Sequence, residues 1–272
     1  MDFMSLIWIF ILLTALQPMF QKKLQEAMRQ RKIDEIQKKR GSRVIVLVHR
    51  QETMSFLGFP LIRYIDVQDS EQVLRVIDST DDDTPIDFVV HTPGGMVLAA
   101  VQISRALRKH KADVRVLVPH YAMSGGTLIA LAADEIVMNR HAVLGPVDPQ
   151  LGMQAPQAAA SILAAVAQKN VKDVDDATLI SADLAKKAIA QVKGDATTLL
   201  ASHMDQAEAE KVADKLASGI WTHDYPISAE EAKEMGLPIS TDMPTEVMDL
   251  MRLYPQPTNK QGGVEYLPRK HA

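Results

Sequence analysis

The chain has 272 residues, 47% of them hydrophobic and 24% charged, with a formal net charge of −4. That length suffices for one large domain with a sizeable core, and the mild negative charge excludes a general attraction to nucleic acid. The absence of cysteine excludes disulfides, thiolate metal sites and a cysteine nucleophile.

Residues 3–20 are strongly apolar, and Leu6 to Leu16 contains one polar residue, Thr14. The length lies near the lower limit for a membrane-spanning helix. No positive charge precedes the run and Gln17-Pro18-Met19-Phe20 is not a cleavage site, so a signal peptide is disfavoured and an anchor is expected. Trp8 and Phe20 would sit near the interfaces. Lys22, Lys23, Arg29, Arg31, Lys32, Lys38, Lys39 and Arg40 follow it. The positive-inside rule then places the N-terminus outside and the large domain in the cytoplasm. Residues 21–39 carry Leu24, Met28, Ile33 and Ile36 at helical spacing and are expected to continue as an amphipathic stem, solvated or with its basic face on anionic lipid.

Gly41-Ser42 breaks the stem, and Arg43 to His49 reads as a strand. Residues 50–60 read as a loop exposing Met54, Phe56, Leu57 and Phe59. Asp69 to Ser79 is predicted as a helix capped by Asp69 or Ser70. Strand and helix then alternate over 86–91, 96–109, 113–118, 125–133 and 134–138, which predicts parallel βα units joined by right-handed crossovers. Beyond Gly145, prolines 146, 149 and 156 mark irregular backbone. Helices are expected at 158–168, 178–192 and 197–217. From Thr241 onward, prolines 244, 255, 257 and 268 with Gly262-Gly263 predict a loosely ordered tail.

Two strand–turn–helix units carry the chemistry. In the first, Asp87-Phe88-Val89-Val90-His91 runs into Thr92-Pro93-Gly94-Gly95. In the second, the apolar Val114–Val118 run is followed by Met123-Ser124-Gly125-Gly126. Parallel strands bring both turns to one edge of the sheet. A serine at such a corner is exposed, and the first free amides of the following helix aim at whatever binds there. The segment lacks the first glycine of the G-x-S-x-G elbow, and a serine here could equally N-cap its helix. No Gly-Lys-Ser/Thr follows either turn, which disfavours a phosphate loop.

His91-Thr92-Pro93-Gly94-Gly95 resembles the S-P-G-G turn of Clp-type proteases. Tyr121-Ala122-Met123-Ser124-Gly125-Gly126 and Ala132-Ala133-Asp134-Glu135-Ile136-Val137-Met138 resemble the nucleophile turn and following strand of the signal peptide peptidase A family. Leu144-Gly145-Pro146-Val147-Asp148-Pro149-Gln150 and Trp221-Thr222-His223-Asp224-Tyr225-Pro226-Ile227 resemble one membrane-anchored branch, the serine dehydrogenase proteinases. The resemblance covers roughly residues 43–245. It implies an α/β, Clp/crotonase-like spiral of parallel βα units, here with an N-terminal transmembrane helix. Its domains are a membrane anchor (1–21), a basic stem (22–41), a serine protease domain (42–245) and a flexible tail (246–272).

The resemblance assigns Ser124 as nucleophile and the Gly95 and Gly125 amides as oxyanion hole, where one donor is typically worth about 2.7–4 kcal/mol. The base stays open. No histidine stands where Clp proteases carry theirs, and His141 reads as a surface residue. Signal peptide peptidase A relatives use a lysine, whose pKa must fall towards neutrality to serve. Lys172, 48 residues beyond Ser124, best matches that context, followed by Lys169 and then Lys186 and Lys187. Alternatively His223, oriented by Asp224 or Asp148, forms a rearranged triad. A Ser–Lys dyad is expected over a Clp-type triad.

The implied protein is a membrane-anchored serine peptidase cleaving peptides or membrane-protein remnants, with no cofactor, no metal and no nucleic acid. Its expected partners are its substrate, the lipid bilayer and copies of itself in a homo-oligomeric ring. The rival readings are a crotonase-like acyl-CoA enzyme and a non-catalytic membrane scaffold that binds hydrophobic peptides.

Overall fold

The computed structural model describes residues 3–49, 55–56, 59–60, 63–152 and 156–254. A helix, α1 (Phe3–Arg40), leads through Gly41 into β1 (Arg43–Val48). A short hairpin follows, β2 (Ser55–Phe56) with β3 (Phe59–Pro60), then α2 (Val67–Asp78), β4 (Ile86–His91), α3 (Val97–Lys109) and β5 (Val114–Val118). Next come β6 (Tyr121–Ala122), α4 (Gly125–Ala130), β7 (Glu135–Met138), β8 (Val143–Leu144), β9 (Gln150–Leu151) and β10 (Gln157–Ala158). The remainder is α5 (Ala159–Ala167), α6 (Asp176–Leu200), α7 (Gln206–Ala217), β11 (Ile227–Ser228), α8 (Ala229–Glu234), β12 (Ile239–Ser240) and α9 (Thr245–Arg252).

The central sheet is parallel throughout, in the order β1-β4-β5-β7-β12. That spatial order follows chain order, so the sheet is wound in one direction without a reversal, as the predicted spiral requires. The pleat sends alternate residues to opposite faces. Val44, Val89, Leu117 and Val137 form one face with Ile36 of α1 and Val247, Leu250 and Met251 of α9. Ile45, Phe88, Val90, Val116 and Ile136 form the other, against Val73 and Ile77 of α2, Ile103 and Leu107 of α3 and Leu128 of α4. A three-stranded sheet, β11-β8-β6, stands at the carboxyl ends of β4 and β5, where Thr92 bridges Ala122.

The expectation of a transmembrane first helix is overturned: among the described residues no helix is long and apolar enough to cross a membrane. Ahead of Gln17 and Pro18 the apolar stretch Phe3–Leu16 rises about 21 Å at 1.5 Å per residue, short of an about 30 Å hydrocarbon core. The single-pass localisation and the orientation deduced from the basic residues fall with it, and the bilayer as partner loses its support. The segment expected to be a stem is mostly exposed, with Leu24 and Met28 turned to solvent, but its last turns pack on the sheet, where Ile36 is 1% exposed.

Three further boundaries differ from expectation. The cap of α2 is Asp66, in a reciprocal capping box with Asp69. The predicted break between 192 and 197 is absent, because α6 runs through Gly194 to Leu200 and the turn comes before Asp205, which caps α7. A helical glycine costs only about 1 kcal/mol, and burial of Val192, Ala196, Leu199 and Leu200 outweighs it. The chain is also ordered as α9 within the predicted tail; residues 255–272 lie outside the described residues, as do the side chains of the 50–60 loop.

Candidate active site

Both predicted corners stand at the carboxyl rim of the central sheet. After β4 the chain turns at Gly94 and Gly95, with φ of +106° and +156°. Both positions exclude a side chain. A Cβ on Gly94 would lie 2.7 Å from the Ser124 Cβ, and one on Gly95 would lie 2.3 Å from the Ile65 backbone. Ile65 bridges this turn in the parallel sense, its N–H donating to Gly94 O and its carbonyl accepting from Met96 N–H, both at 2.8 Å. In such a bridge the residues flanking Gly95 make the bonds, which leaves the Gly95 N–H facing away from Ile65. On that side stands Gly125, whose Cβ position lies 3.5 Å from the Gly95 nitrogen.

The second corner carries Ser124 at φ +49°, ψ −114°. Among the described residues it is the non-glycine with positive φ, a conformation costing of order 1–3 kcal/mol. The turn is held by Gly126 N–H on Met123 O (2.7 Å) and Thr127 N–H on Ser124 O (2.9 Å). Ser124 occupies the N-cap position of α4 yet makes no side-chain capping bond. Asp66, Asp175, Asp205 and Ser228 all cap their helices, so the reading of Ser124 as an ordinary cap fails. Gly125, first in α4, has no intrahelical acceptor for its N–H.

A third segment closes on these two. The Thr127 hydroxyl accepts from Gly145 N–H (3.0 Å) and lies 2.8 Å from the Ala122 and Gly145 carbonyls, tying the Gly145–Asp148 stretch to α4. Val147 N–H donates to Leu216 O (2.9 Å). Asp148 is thereby buried, 2% exposed, and accepts from Gln150 Nε2 (2.6 Å) and His223 Nδ1 (2.8 Å). His223 comes from a turn closed by Tyr225 N–H on Thr222 O (3.0 Å). Trp221 and Tyr225 stack across that turn at 4.9 Å, and the Tyr225 hydroxyl donates to Glu231 (2.7 Å). With its Nδ1 proton on the carboxylate, His223 keeps a free lone pair on Nε2.

Ser124, Gly95, Gly125, Asp148, His223 and Asp224 line one cleft of about 470 Å³. Of the sequence candidates, Lys172 is placed elsewhere: it is exposed on a 3-10 turn, Val171–Asp173, between α5 and α6, and does not line the cleft. Lys169, Lys186 and Lys187 are exposed too. Asp224 reaches the cleft, but the carboxylate on His223 is that of Asp148. Among the described residues no cluster of three or more His, Asp or Glu side chains could hold a metal ion.

A parallel α/β fold that presents an elbow serine beside a glycine turn is of the ClpP-like kind. The chain belongs to the family of ClpP-like SDH-type serine proteinases, matched over residues 1–272. It is 51% identical over 261 residues to the uncharacterized protein MJ0137 of Methanocaldococcus jannaschii, covering 96% of this chain and 90% of that one. It is 48% identical over 268 residues to MJ1495 of the same organism, covering 98% and 90%. Among solved structures it is similar to the 1510-N membrane-bound stomatin-specific protease. One variant aligns at TM-score 0.48 and 18% identity over 76% of this chain and 82% of that one. A second, in complex with a substrate peptide, aligns at 0.46 and 21% over 76% and 77%.

Proposed function

We propose that the protein is a serine peptidase in which Ser124 attacks the peptide carbonyl and His223, not a lysine, is the general base. The observation that carries this reading is the cleft itself, where an uncapped elbow hydroxyl shares one cavity with an imidazole fixed on a buried carboxylate. Nε2 of His223 takes the Ser124 proton as the Oγ–carbon bond forms. Asp148 stabilises the imidazolium, which then protonates the leaving amine. The Gly95 and Gly125 N–H groups receive the developing oxyanion, in place before the reaction and needing no reorganisation. Water then attacks the acyl-enzyme by the same route. In chain order this triad reads Ser124, Asp148, His223, and such triads are recognised by roles rather than order.

A fluorophosphonate probe tests the reading. The wild-type protein is expected to label and to hydrolyse peptides, Ser124→Ala to do neither, and Lys172→Met to match wild type. Labelling that survives Ser124→Ala overturns the nucleophile; activity lost in Lys172→Met but kept in His223→Gln overturns the base.

Self-association belongs to the same proposal. The α5–α6 arm turns Val171, Ile180 and Leu184 to solvent, 65%, 62% and 53% exposed, an apolar surface suited to a second copy. Sedimentation velocity should show an oligomer that Ile180→Glu with Leu184→Glu dissociates; an unchanged sedimentation coefficient removes this arm from the assembly.

A further inference from the structure

Thr92 is fully buried and joins the two corners. Its backbone holds the serine side: Thr92 N–H donates to Tyr121 O (3.3 Å), and Thr92 O accepts from Met123 N–H (3.0 Å). Its hydroxyl holds the glycine side, accepting from Gly94 N–H at 3.2 Å and lying 3.3 Å from Gly94 O. The same hydroxyl lies 3.0 Å from Nδ1 of His49. His49 follows directly on β1 and is 3% exposed; its Nε2 is 3.3 Å from Asp69 Oδ2.

Donor counting fixes the protons along this line. Burial pushes the Asp69 carboxyl up, but hydrogen bonds from His49 and the Asp66 amide, with Arg63 nearby, hold it below its ordinary value on balance. Asp69 is therefore ionised at neutral pH and only accepts. With the His49 Nε2–H on that carboxylate, Nδ1 is the acceptor and the Thr92 hydroxyl donates to it. The Thr92 oxygen is then left with its lone pairs towards the Gly94 N–H. Two consecutive glycines can rotate the peptide between them at little steric cost; the Thr92 oxygen holds the N–H of the peptide before it, and the Ile65 N–H holds its carbonyl, Gly94 O.

We propose that His49 is a positioning residue of the reaction: by taking the Thr92 proton it leaves the Gly94 carbonyl to the Ile65 N–H, which keeps the Gly94–Gly95 peptide turned so that the Gly95 N–H points into the cleft. Without an acceptor at His49, the Thr92 proton turns to Gly94 O and competes with the Ile65 N–H for that carbonyl. This inference rests on reading the cleft as a peptidase site.

The test uses the full chain and a fluorophosphonate–rhodamine probe, with maximal inactivation rate and half-saturating concentration determined separately, and folding checked by circular dichroism and thermal melting. His49→Phe and Thr92→Val should lower the maximal rate about 10–100-fold with half-saturation within about 3-fold, as loss of oxyanion alignment predicts. Thr92→Ser and His49→Gln, which keep a hydroxyl and an acceptor, should stay within about 3-fold of wild type. A purely structural role would lower melting temperature without this split. Folded His49→Phe labelling at the wild-type maximal rate overturns the inference alone. Should His49→Phe not fold, Thr92→Val against Thr92→Ser decides, and equal rates overturn it. A wild-type protein that never labels overturns the peptidase reading and the inference with it.

Discussion

Asp87 and Ser124 lie at opposite rims of the same parallel sheet, and the protein treats their polar groups in opposite ways. At the amino rim Asp87 is 0% exposed. It accepts from Arg40 (2.5 and 3.2 Å) and the Ser42 hydroxyl (2.6 Å) and pairs with Arg115 (2.7 Å). It sits within regular strand, in register with Val44 and Arg115, and joins α1 to the sheet. At the carboxyl rim the Ser124 hydroxyl caps nothing, the first amide of α4 has no intrahelical acceptor, and the backbone is strained. Polar groups saturated by their neighbours make a fold; those held in place but left unsaturated can meet a substrate. The rims of one sheet thus divide stability from chemistry.

That division is broken most sharply from the carboxyl side. Asp148→Asn keeps the size but replaces one accepting oxygen by an NH2 donor and removes the charge that stabilises the imidazolium, where both Gln150 and His223 need an acceptor, so His223 adopts the wrong tautomer or loses its orientation. Peptide turnover should fall by about 10²–10⁴-fold, while the unfolding midpoint in urea moves little. The mirror experiment is Asp87→Asn. It strands two arginines that are roughly a quarter exposed, so the loss should be about 2–4 kcal/mol in urea unfolding, somewhat below a fully buried pair. Labelling of Ser124 per folded molecule should be unchanged. A variant at either rim that moves both readouts equally would remove the division.

The same contrast explains what could be read from the sequence. The apolar runs and glycine turns declared β4, β5, β7 and the helices between them, because buried parallel strands and tight turns are written in local residue types. Ser124, Gly95 and Gly125 were legible for that reason, each being a local feature of a turn. The partner of His223 was not settled by its neighbourhood. Asp224 is adjacent in sequence, but adjacent residues on an extended chain point apart, and Asp148 arrives from 75 residues away. Lys172 stands out by its flanking residues, which carry no information on burial; it is exposed and lies outside the cleft. His49 went unnoticed because its role lies in a long-range contact with Thr92; the available sign was a polar residue ending an apolar strand at the rim that holds the corners. Arg40 and the buried end of α1 were masked by the basic run around them, which read as a solvated or lipid-facing stem.

The smallest expected effect probes the energetic side of the contrast. A side chain at φ +49°, ψ −114° costs of order 1–3 kcal/mol, and glycine adopts such positive φ freely, at the price of about 0.5–1 kcal/mol in unfolded-state entropy. Ser124→Gly should therefore be more stable than Ser124→Ala by about 1 kcal/mol, although neither has a nucleophile. Alanine keeps the Cβ and hence the strain, so the pair isolates the backbone from the lost hydroxyl. Urea titrations of the two inactive proteins read the difference directly. Equal midpoints would mean that the elbow is relaxed as drawn, and that the carboxyl rim differs from the Asp87 rim in its unsatisfied groups but not in stored strain.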